Sequence, residues 1–331
     1  MAVNTAWFLL PLLACCSTPD DNDGVLGPIP HIDGERAKSY VQKQVNFGPR
    51  PAGSEALAKT RDWIVAELKK LGLKPQIDSF SDEKHAKGIS FSNILCEIPG
   101  SDPEEKRLLV LGSHYDTKLC REQANAPRSF DFFGANDGGS SSGLLLELAH
   151  WFKDHPLRCP LLLIWFDGEE SIDWDWNDNR SLFGSKRAVQ ELRKRFPKDK
   201  PLYEHIPVMF LLDMIGAKTL HVSRDTNSSR ALQDIVFQQA RHLGKQSYFF
   251  KTETAVTDDH MPFLDYSIEV INLIDFGPPT PDWWHTEKDN MEIISAKSLE
   301  LIGQTTAMAL PVIVERFYPK PEKRAAQDKK K

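Results

Sequence analysis

The 331-residue sequence predicts a single α/β domain over residues 31–318, with a mixed, mostly parallel central sheet and helices on both of its faces. Two patterns support this fold class. Short and nearly continuous apolar runs, such as LLLIWF, are typical of strands that are buried on both faces. These runs alternate along the chain with longer segments whose apolar residues recur at helical spacing.

The predicted strands are the apolar runs that end at turn-forming or charged residues. We expect them within SFSNILCEIPG, RLLVLGSHYDT, CPLLLIWFDGEE, VMFLLDMIGA and SIEVINLID. A charged turn joins the first two of these runs. The third and fourth runs are almost wholly apolar, which favours positions in the middle of the sheet.

The predicted helices precede or separate these strands. We expect them over HIDGERAKSYVQKQVNF, SEALAKTRDWIVAELKKLGL, GSSSGLLLELAHWFKDH, SLFGSKRAVQELRKRF, SSRALQDIVFQQARHLG and ISAKSLELIGQTTAMALPVIVERF. Ser54 is placed to cap the second helix, and Asp259 is placed to cap a short helix that begins near Pro262. Pro311 predicts a kink in the last helix.

Composition and charge exclude some classes of function. The net charge is −6 and no basic stripe crosses the body of the chain, so nucleic acid is not expected as a partner. The basic residues of 319–331 predict a solvated, disordered tail. Cys96, Cys120 and Cys159 show no CxxC spacing, which argues against a thiolate metal cluster and allows at most one disulfide among them.

The first residues predict export. Residues 1–16 contain an apolar run that is too short to cross a bilayer, followed by small residues, as in a secretory signal. Residues 17–30 form a polar linker. The LLAC segment also resembles a lipoprotein attachment box, although no Lys or Arg precedes the apolar run. We therefore expect a periplasmic or extracellular protein, and leave open whether a lipidated Cys15 anchors it to a membrane.

Residues of metal-binding type follow the predicted strands. In open α/β sheets, ligands bind at the carboxyl ends of the strands, so residues at those ends are candidates for a site. They are His114, Asp116, Glu169, Glu170, Asp213 and, beyond the last strand, His285. Histidine with carboxylates is the ligand set that zinc uses in catalytic sites, where one position stays open for substrate.

Each candidate also has a structural explanation. Asp137 lies among glycines before a helix, where it could bind an ion or cap the helix. Glu169 and Glu170 are adjacent and repel each other unless a cation is present. Asp213 ends a buried strand, so it requires an ion or a buried salt bridge. His285 follows two tryptophans, which could form a pocket wall or an exposed association loop.

These segments together resemble a known family. Their order is similar to that of the zinc-dependent exopeptidase superfamily and, within it, to the glutaminyl cyclase family. The resemblance extends from NFGPRPAGSEALAKTRDWI to VERF. It rests on FDGEE, the Trp-rich loop that leads to SLFGS, LLDMIGA, TDDHMPFL and WWHTEKDN.

The resemblance implies an enzyme that uses zinc. It implies that Glu169 is the general acid/base and that Asp213 and Asp258 form a carboxylate network behind it. The substrate would be a peptide or protein with an N-terminal glutamine, which is converted to pyroglutamate with release of ammonia. The implied ligands of a single zinc ion are Asp137, Glu170 and His285.

The same resemblance assigns supporting residues. Trp284 would form a wall of the substrate pocket. Either Trp174 or Trp176 would lie over the substrate, because this loop is one residue longer than the family pattern. His114 and Asp116 would lie just behind the site without binding the metal.

The sequence also departs from the family pattern. Ser113 and Ser142 occupy the positions of a cysteine pair in the animal enzymes, and Asn272 replaces a histidine that is common behind the site. The loop GANDGGSSSG is closer to the aminopeptidase form.

These departures keep other hypotheses open. In a di-zinc aminopeptidase, Asp137 would bridge two ions, His114 and Asp213 would complete the second site, and Glu169 would activate a water. A non-catalytic binding protein on the same fold is the third hypothesis. It is disfavoured because every ligand position is filled.

Overall fold

The computed structural model describes residues 28–121 and 129–320. The predicted leader, most of the predicted linker, Cys15 and the basic tail from residue 321 lie outside this range and stay predictions. Within the described range, no helix combines the length and the apolar character that a membrane span requires.

The described chain contains seven α-helices and eight strands. The helices are α1 Gly34–Val45, α2 Glu55–Lys70, α3 Gly139–Asp154, α4 Phe183–Arg195, α5 Arg230–His242, α6 Met261–Leu264 and α7 Ala296–Phe317. The strands are β1 Gln76–Ser81, β2 Ser90–Ile98, β3 Leu109–His114, β4 Leu161–Phe166, β5 Val208–Asp213, β6 Val222–Asp225, β7 Phe249–Thr254 and β8 Glu269–Ile274.

All eight strands form one sheet in the order β1-β2-β4-β3-β5-β8-β6-β7. Its centre, β4-β3-β5-β8, is parallel. The flanking pairs β1-β2, β2-β4 and β6-β8 are antiparallel, whereas β6-β7 is parallel. The predicted α/β fold is therefore confirmed, but the sheet is mixed and not mostly parallel.

Two of the three antiparallel pairs involve strands that the sequence did not reveal, whereas the third joins β2 and β4, which were both predicted. β1, β6 and β7 were not predicted, and each pairs near an edge of the sheet. β6 has only four residues, and β1 is exposed or half-buried along its whole length. Edge strands of this kind lack the apolar runs that mark β3, β4 and β5, which are buried at every position.

Successive side chains of the central strands enter two different cores. Leu109 and Leu111 of β3 join the larger core, which also contains residues of α1, α2, α3, α5 and α7. Val110, between them, joins the smaller core with residues of α4 and α6. This alternation follows from strand geometry and leaves the carboxyl ends of the strands free to carry the site.

The predicted caps gave mixed results. Ser54 caps α2, since its side chain accepts a hydrogen bond from the Leu57 N–H at 3.1 Å. Asp259 does not cap α6, because the N-cap residue of this short helix is His260. Pro311 lies inside α7, and the helix continues past it to Phe317. Cys96, Cys120 and Cys159 are buried free thiols.

Ser54 and Ser229 offer a matched test of capping energy. Both are helix N-cap residues, but only Ser54 makes a side-chain capping bond. We expect Ser54→Ala to lower the free energy of unfolding by about 1 kcal/mol and Ser229→Ala to lower it by only a few tenths. Urea unfolding followed by circular dichroism measures both values, and equal losses would contradict the assigned cap.

Candidate active site and metal centre

The carboxyl ends of the central strands meet at one edge of the sheet. His114 is the last residue of β3, and Asp213 is the last residue of β5. Glu169 and Glu170 lie in the loop after β4. All four side chains are buried, as is Asp137 just before α3. The structure therefore brings together the strand-end residues that the sequence selected.

Asp137, Glu170 and His285 form a group that can hold a metal ion. One potential ligand atom of each lies within 4.8 Å of those of the others. His285 Nε2 is 3.4 Å from Asp137 Oδ2 and 3.3 Å from Glu170 Oε1. Glu170 Oε1 is buried and accepts no hydrogen bond of proper geometry among the described residues. A cation would satisfy this oxygen, and one nitrogen with two carboxylates suits catalytic zinc.

A second group shares Asp137. His114 Nε2 lies 3.0 Å from Asp213 Oδ1 and 3.3 Å from Asp137 Oδ1, and the three residues also meet the geometric criterion for holding an ion. The opposite ring nitrogen, Nδ1, lies 3.4 Å from Asp116 Oδ1. The imidazole of His114 is thus surrounded by three carboxylates, which keep it in one orientation.

Asp116 fixes the main chain of the two glutamates. It is fully buried, and its two oxygens accept the backbone N–H groups of Glu169 at 3.2 Å and Glu170 at 3.3 Å. Adjacent residues in an extended chain point to opposite sides, so a fixed main chain sends the two carboxylates in different directions.

Asp289 fixes the Asp137 loop in the same way. Its carboxylate accepts the N–H groups of Asn136 at 2.6 Å and Asp137 at 2.9 Å. Burial, together with the charge of Asp137, raises the pKa of Asp289 to about 7. Since Asp289 lies four residues after His285, this contact joins the loops of two of the candidate metal ligands.

Asn136 connects the Asp137 loop to the end of β5. Its Oδ1 accepts the Gly216 N–H at 2.7 Å, and Ser140 Oγ accepts the Ile215 N–H at 3.0 Å. A Cβ atom at Gly216 would lie 2.6 Å from the Ser140 Cβ, so this close approach requires glycine.

His285 has a backbone conformation that its residue type rarely adopts. Its φ is 49°, in the left-handed region. The ring stacks on Trp284 with centroids 4.0 Å apart and meets the edge of Phe132 at 5.7 Å. Such strain persists only where surrounding contacts enforce it and is often found at functional sites.

Several acidic side chains favour their protonated forms. Burial raises the pKa of Glu169 well above its ordinary value; the charge of His114 opposes this shift, and the charges of Asp258 and Glu170 add to it. Burial also raises the pKa of Asp213 to about 7 and raises that of Asp258. Asp137 differs, because hydrogen bonds from His114 and His285 overcome burial and lower its pKa. A bound cation would lower all of these pKa values.

A cavity of about 240 Å³ opens above these residues. Trp284 and Trp176 line it, and the Trp176 Nε1 donates a hydrogen bond to Asp178 at 2.7 Å. Trp174 instead packs against a cluster that contains Phe132, beside the cavity. The structure therefore places Trp176, and not Trp174, at the cavity wall.

Asp258 lines the same cavity, and two hydrogen-bond donors fix its carboxylate. Asn272 Nδ2 donates to its Oδ2 at 2.7 Å, and the Asp259 N–H donates to its Oδ1 at 2.6 Å. Asn272, which replaces the histidine of the family pattern, thus donates a hydrogen bond to Asp258.

Comparisons with known proteins agree with this geometry. The sequence profile described as peptidase family M28 matches residues 93–310. The chain belongs to peptidase family M28. This assignment confirms the predicted membership of the zinc-dependent exopeptidase superfamily.

Curated relatives of this chain carry cyclotransferase names. A glutaminyl-peptide cyclotransferase-like protein from Bos taurus is 31% identical, with 79% of this chain and 71% of the relative covered. A glutaminyl-peptide cyclotransferase from Dictyostelium discoideum is 26% identical, with 73% of this chain and 75% of the relative covered.

Solved structures show the same M28 fold. A glutaminyl cyclase from an Acidobacteriales bacterium is 30% identical with a TM-score of 0.77, covering 88% of this chain and 98% of that one. A Zn-dependent exopeptidase from Parabacteroides distasonis is 26% identical with a TM-score of 0.72, covering 88% of this chain and 100% of that one.

Several residues of this site were not selected from the sequence. Among them are Asn136, Asp289 and Lys118. Lys118 is 2% exposed, donates to the Ser171 carbonyl at 2.8 Å and lies 3.8 Å from Glu170 Oε2. Lysine is almost never fully buried, so nothing in its local sequence predicts this position.

The Asp289 contact can be tested by metal affinity. Asp289→Ala removes both acceptors that hold the Asp137 loop, and we expect zinc affinity to fall by about 10-fold to 100-fold. Competition with a chromophoric chelator measures this affinity. Asp282→Ala, which removes an exposed carboxylate from the same loop, is the control and should leave it unchanged. A folded Asp289→Ala protein with native affinity would contradict the assignment.

Proposed function

We propose that this chain is a zinc-dependent glutaminyl-peptide cyclotransferase that converts the N-terminal glutamine of peptides to pyroglutamate. One observation carries the proposal. The Asp137, Glu170 and His285 group and the carboxylate of Glu169 lie together on a cavity that Trp176 and Trp284 line. The names of the relatives supply the substrate class.

Asp137, Glu170 and His285 would hold a single zinc ion. When bound there, zinc supplies Lewis-acid polarisation of the glutamine side-chain carbonyl. Lys118 places a positive charge 3.8 Å from Oε2 of Glu170.

Glu169 moves the proton in the proposed reaction. Its carboxylate takes a proton from the α-amine of the substrate as the amine nitrogen forms a bond to the side-chain amide carbon. The C–N bond of the amide then breaks, and Glu169 delivers the proton to the departing ammonia. One ring bond forms and one amide bond breaks, so no water is consumed.

Asp213 and Asp258 support Glu169 in this scheme. Both are buried carboxyls that line the same cavity and whose pKa values are raised by burial. His114 holds Asp213 at 3.0 Å, and Asn272 holds Asp258 at 2.7 Å. The three carboxyls influence one another's charge, so their protonation is coupled.

The aromatic residues select and orient the substrate. Trp284 and Trp176 provide flat apolar surfaces, and Ile274, Phe276 and Val256 complete the apolar part of the wall. Such a lining excludes water from the reacting amide. It also leaves the buried carboxylates as the main polar partners for the amine and the side-chain amide.

A di-zinc aminopeptidase is the second candidate function. The observation in its favour is the complete group of His114, Asp137 and Asp213, which could hold another ion. One solved relative is named as a Zn-dependent exopeptidase. In this alternative, Glu169 would activate a water, and the product would be a free N-terminal residue.

Product analysis separates the two functions. We expect a peptide that begins with glutamine to lose one ammonia while its chain stays intact, as followed by mass spectrometry on the zinc-loaded protein. The same peptide beginning with glutamate or alanine is the control, and we expect no change in it at matched times. Release of a free N-terminal residue would instead establish the aminopeptidase.

The two adjacent glutamates have different predicted roles. We expect Glu169→Gln to keep its zinc and lose at least about 100-fold in kcat, because it removes the proton carrier. We expect Glu170→Ala to lose zinc, because it removes a ligand. Metal content is measured by elemental analysis after dialysis. Native turnover in Glu169→Gln, or native zinc content in Glu170→Ala, would refute the respective role.

A further inference from the structure

A second cavity, of about 330 Å³, lies beside the loop that carries Trp284. A proline-rich segment, residues 278–281, contributes to its wall. The polar side chains of this cavity take no part in the proposed reaction. They are Thr219, His221, Thr252, Asp275 and Asp282.

Asp275 is a buried carboxyl with no cationic partner among the described residues. It is 6% exposed and lines the second cavity. Burial raises its pKa to about 7, and the backbone N–H of His221 is the one donor that opposes this shift. No ion pair joins it to a lysine or arginine within residues 28–121 and 129–320. A buried, ionised carboxylate without a counter-charge lowers the stability of the fold, and a cation that enters the cavity would offset this loss.

One main-chain segment separates this cavity from the active-site cavity. Residues 274–277 alternate between the two cavities, since Ile274 and Phe276 line the active-site cavity while Asp275 and Gly277 line the second. Extended backbone places successive residues on opposite sides. The two cavities are therefore neighbours that share a wall.

The shared wall is held firmly in place. A Cβ atom at Gly277 would lie 2.4 Å from Ser223 Oγ and 3.0 Å from Thr252 Oγ1, so the main chain packs directly on these hydroxyls. The two hydroxyls lie 3.0 Å apart and bond to each other. The prolines that follow have a fixed φ. The second cavity therefore has a well-defined wall, at the edge of the sheet that β6 and β7 form.

The chemistry of this cavity suits a basic side chain. A carboxylate pairs with an ammonium or guanidinium group, and threonine hydroxyls accept its remaining hydrogens. The apolar stem of lysine or arginine packs well against proline and tryptophan, and Trp283 also lines the cavity.

A peptide substrate can supply that side chain. With its N-terminal glutamine in the active-site cavity, an extended peptide advances about 3.3 Å per residue, so the residues that follow can pass the shared wall. We propose that Asp275 forms a subsite for a basic side chain downstream of the N-terminal glutamine. The proposal rests on the proposed cyclotransferase function.

A lysine scan of the substrate tests the subsite. The peptides begin with glutamine, continue with alanines and carry a single lysine at each successive position, and the matched peptides carry norleucine instead. Ammonia release gives kcat/KM for the zinc-loaded protein. We expect one position at which lysine is favoured by about tenfold over norleucine. Acetylation of that lysine should abolish the preference, because it removes the charge.

Asp275→Asn tests the residue itself. We expect this variant to keep native kcat/KM on the norleucine peptides and to lose the preference for lysine. Because the carboxylate has no cationic partner, its isosteric replacement should not lower Tm. Asp265→Asn removes an exposed carboxylate outside both cavities, and this control should retain the preference.

The outcomes distinguish the subsite from the function on which it rests. Absence of any lysine preference in the wild-type protein, or its full retention in Asp275→Asn, would overturn the subsite. An equal loss in Asp265→Asn would also overturn it, because net charge would then explain the effect. Failure of every peptide to release ammonia would instead refute the cyclotransferase.

Discussion

Repulsion among buried carboxylates is the constraint around which this site is built. Ten of them lie buried at or behind the carboxyl ends of the central strands in the described part of the chain: Asp116, Asp137, Asp167, Glu169, Glu170, Asp213, Asp258, Asp259, Asp275 and Asp289. Among the described residues, fewer cationic groups lie near them; these include His114, His285, Lys118 and the buried Arg50. Such a concentration of like charge is tolerable only if protons, backbone N–H groups or a metal ion compensate for it.

The way in which each carboxylate's charge is compensated depends on where it lies in the site. Asp116 and Asp289 accept backbone N–H groups and thereby hold the loops that bear Glu170 and Asp137. Among the members that line the cavity, Asp258 also has two donors, whereas Glu170 Oε1 has none of proper geometry among the described residues, so its charge is left for an ion. The fold therefore uses the same residue type both to position the site and to perform its chemistry.

The sequence predicted the parts of the fold that depend on local pattern. The apolar runs of β3, β4 and β5 identified the central strands, and the residues after them identified the site. β1 and β7 were missed because a half-exposed edge strand has no such run. Asn136 and Asp289 were missed because their role depends on contacts between distant segments.

The bond between Asp289 and the Asn136 N–H spans 153 residues of sequence, and this separation affects how the protein folds. Contacts between residues so far apart in the sequence form late in folding, since the entropy cost of loop closure must first be overcome. A nascent chain that ends before residue 285 has neither the last proposed metal ligand nor the contact that fixes the first. Metal capture is then coupled to completion of the fold. Metal loading would thus mark a chain that has finished folding, and chains that stall earlier would remain empty.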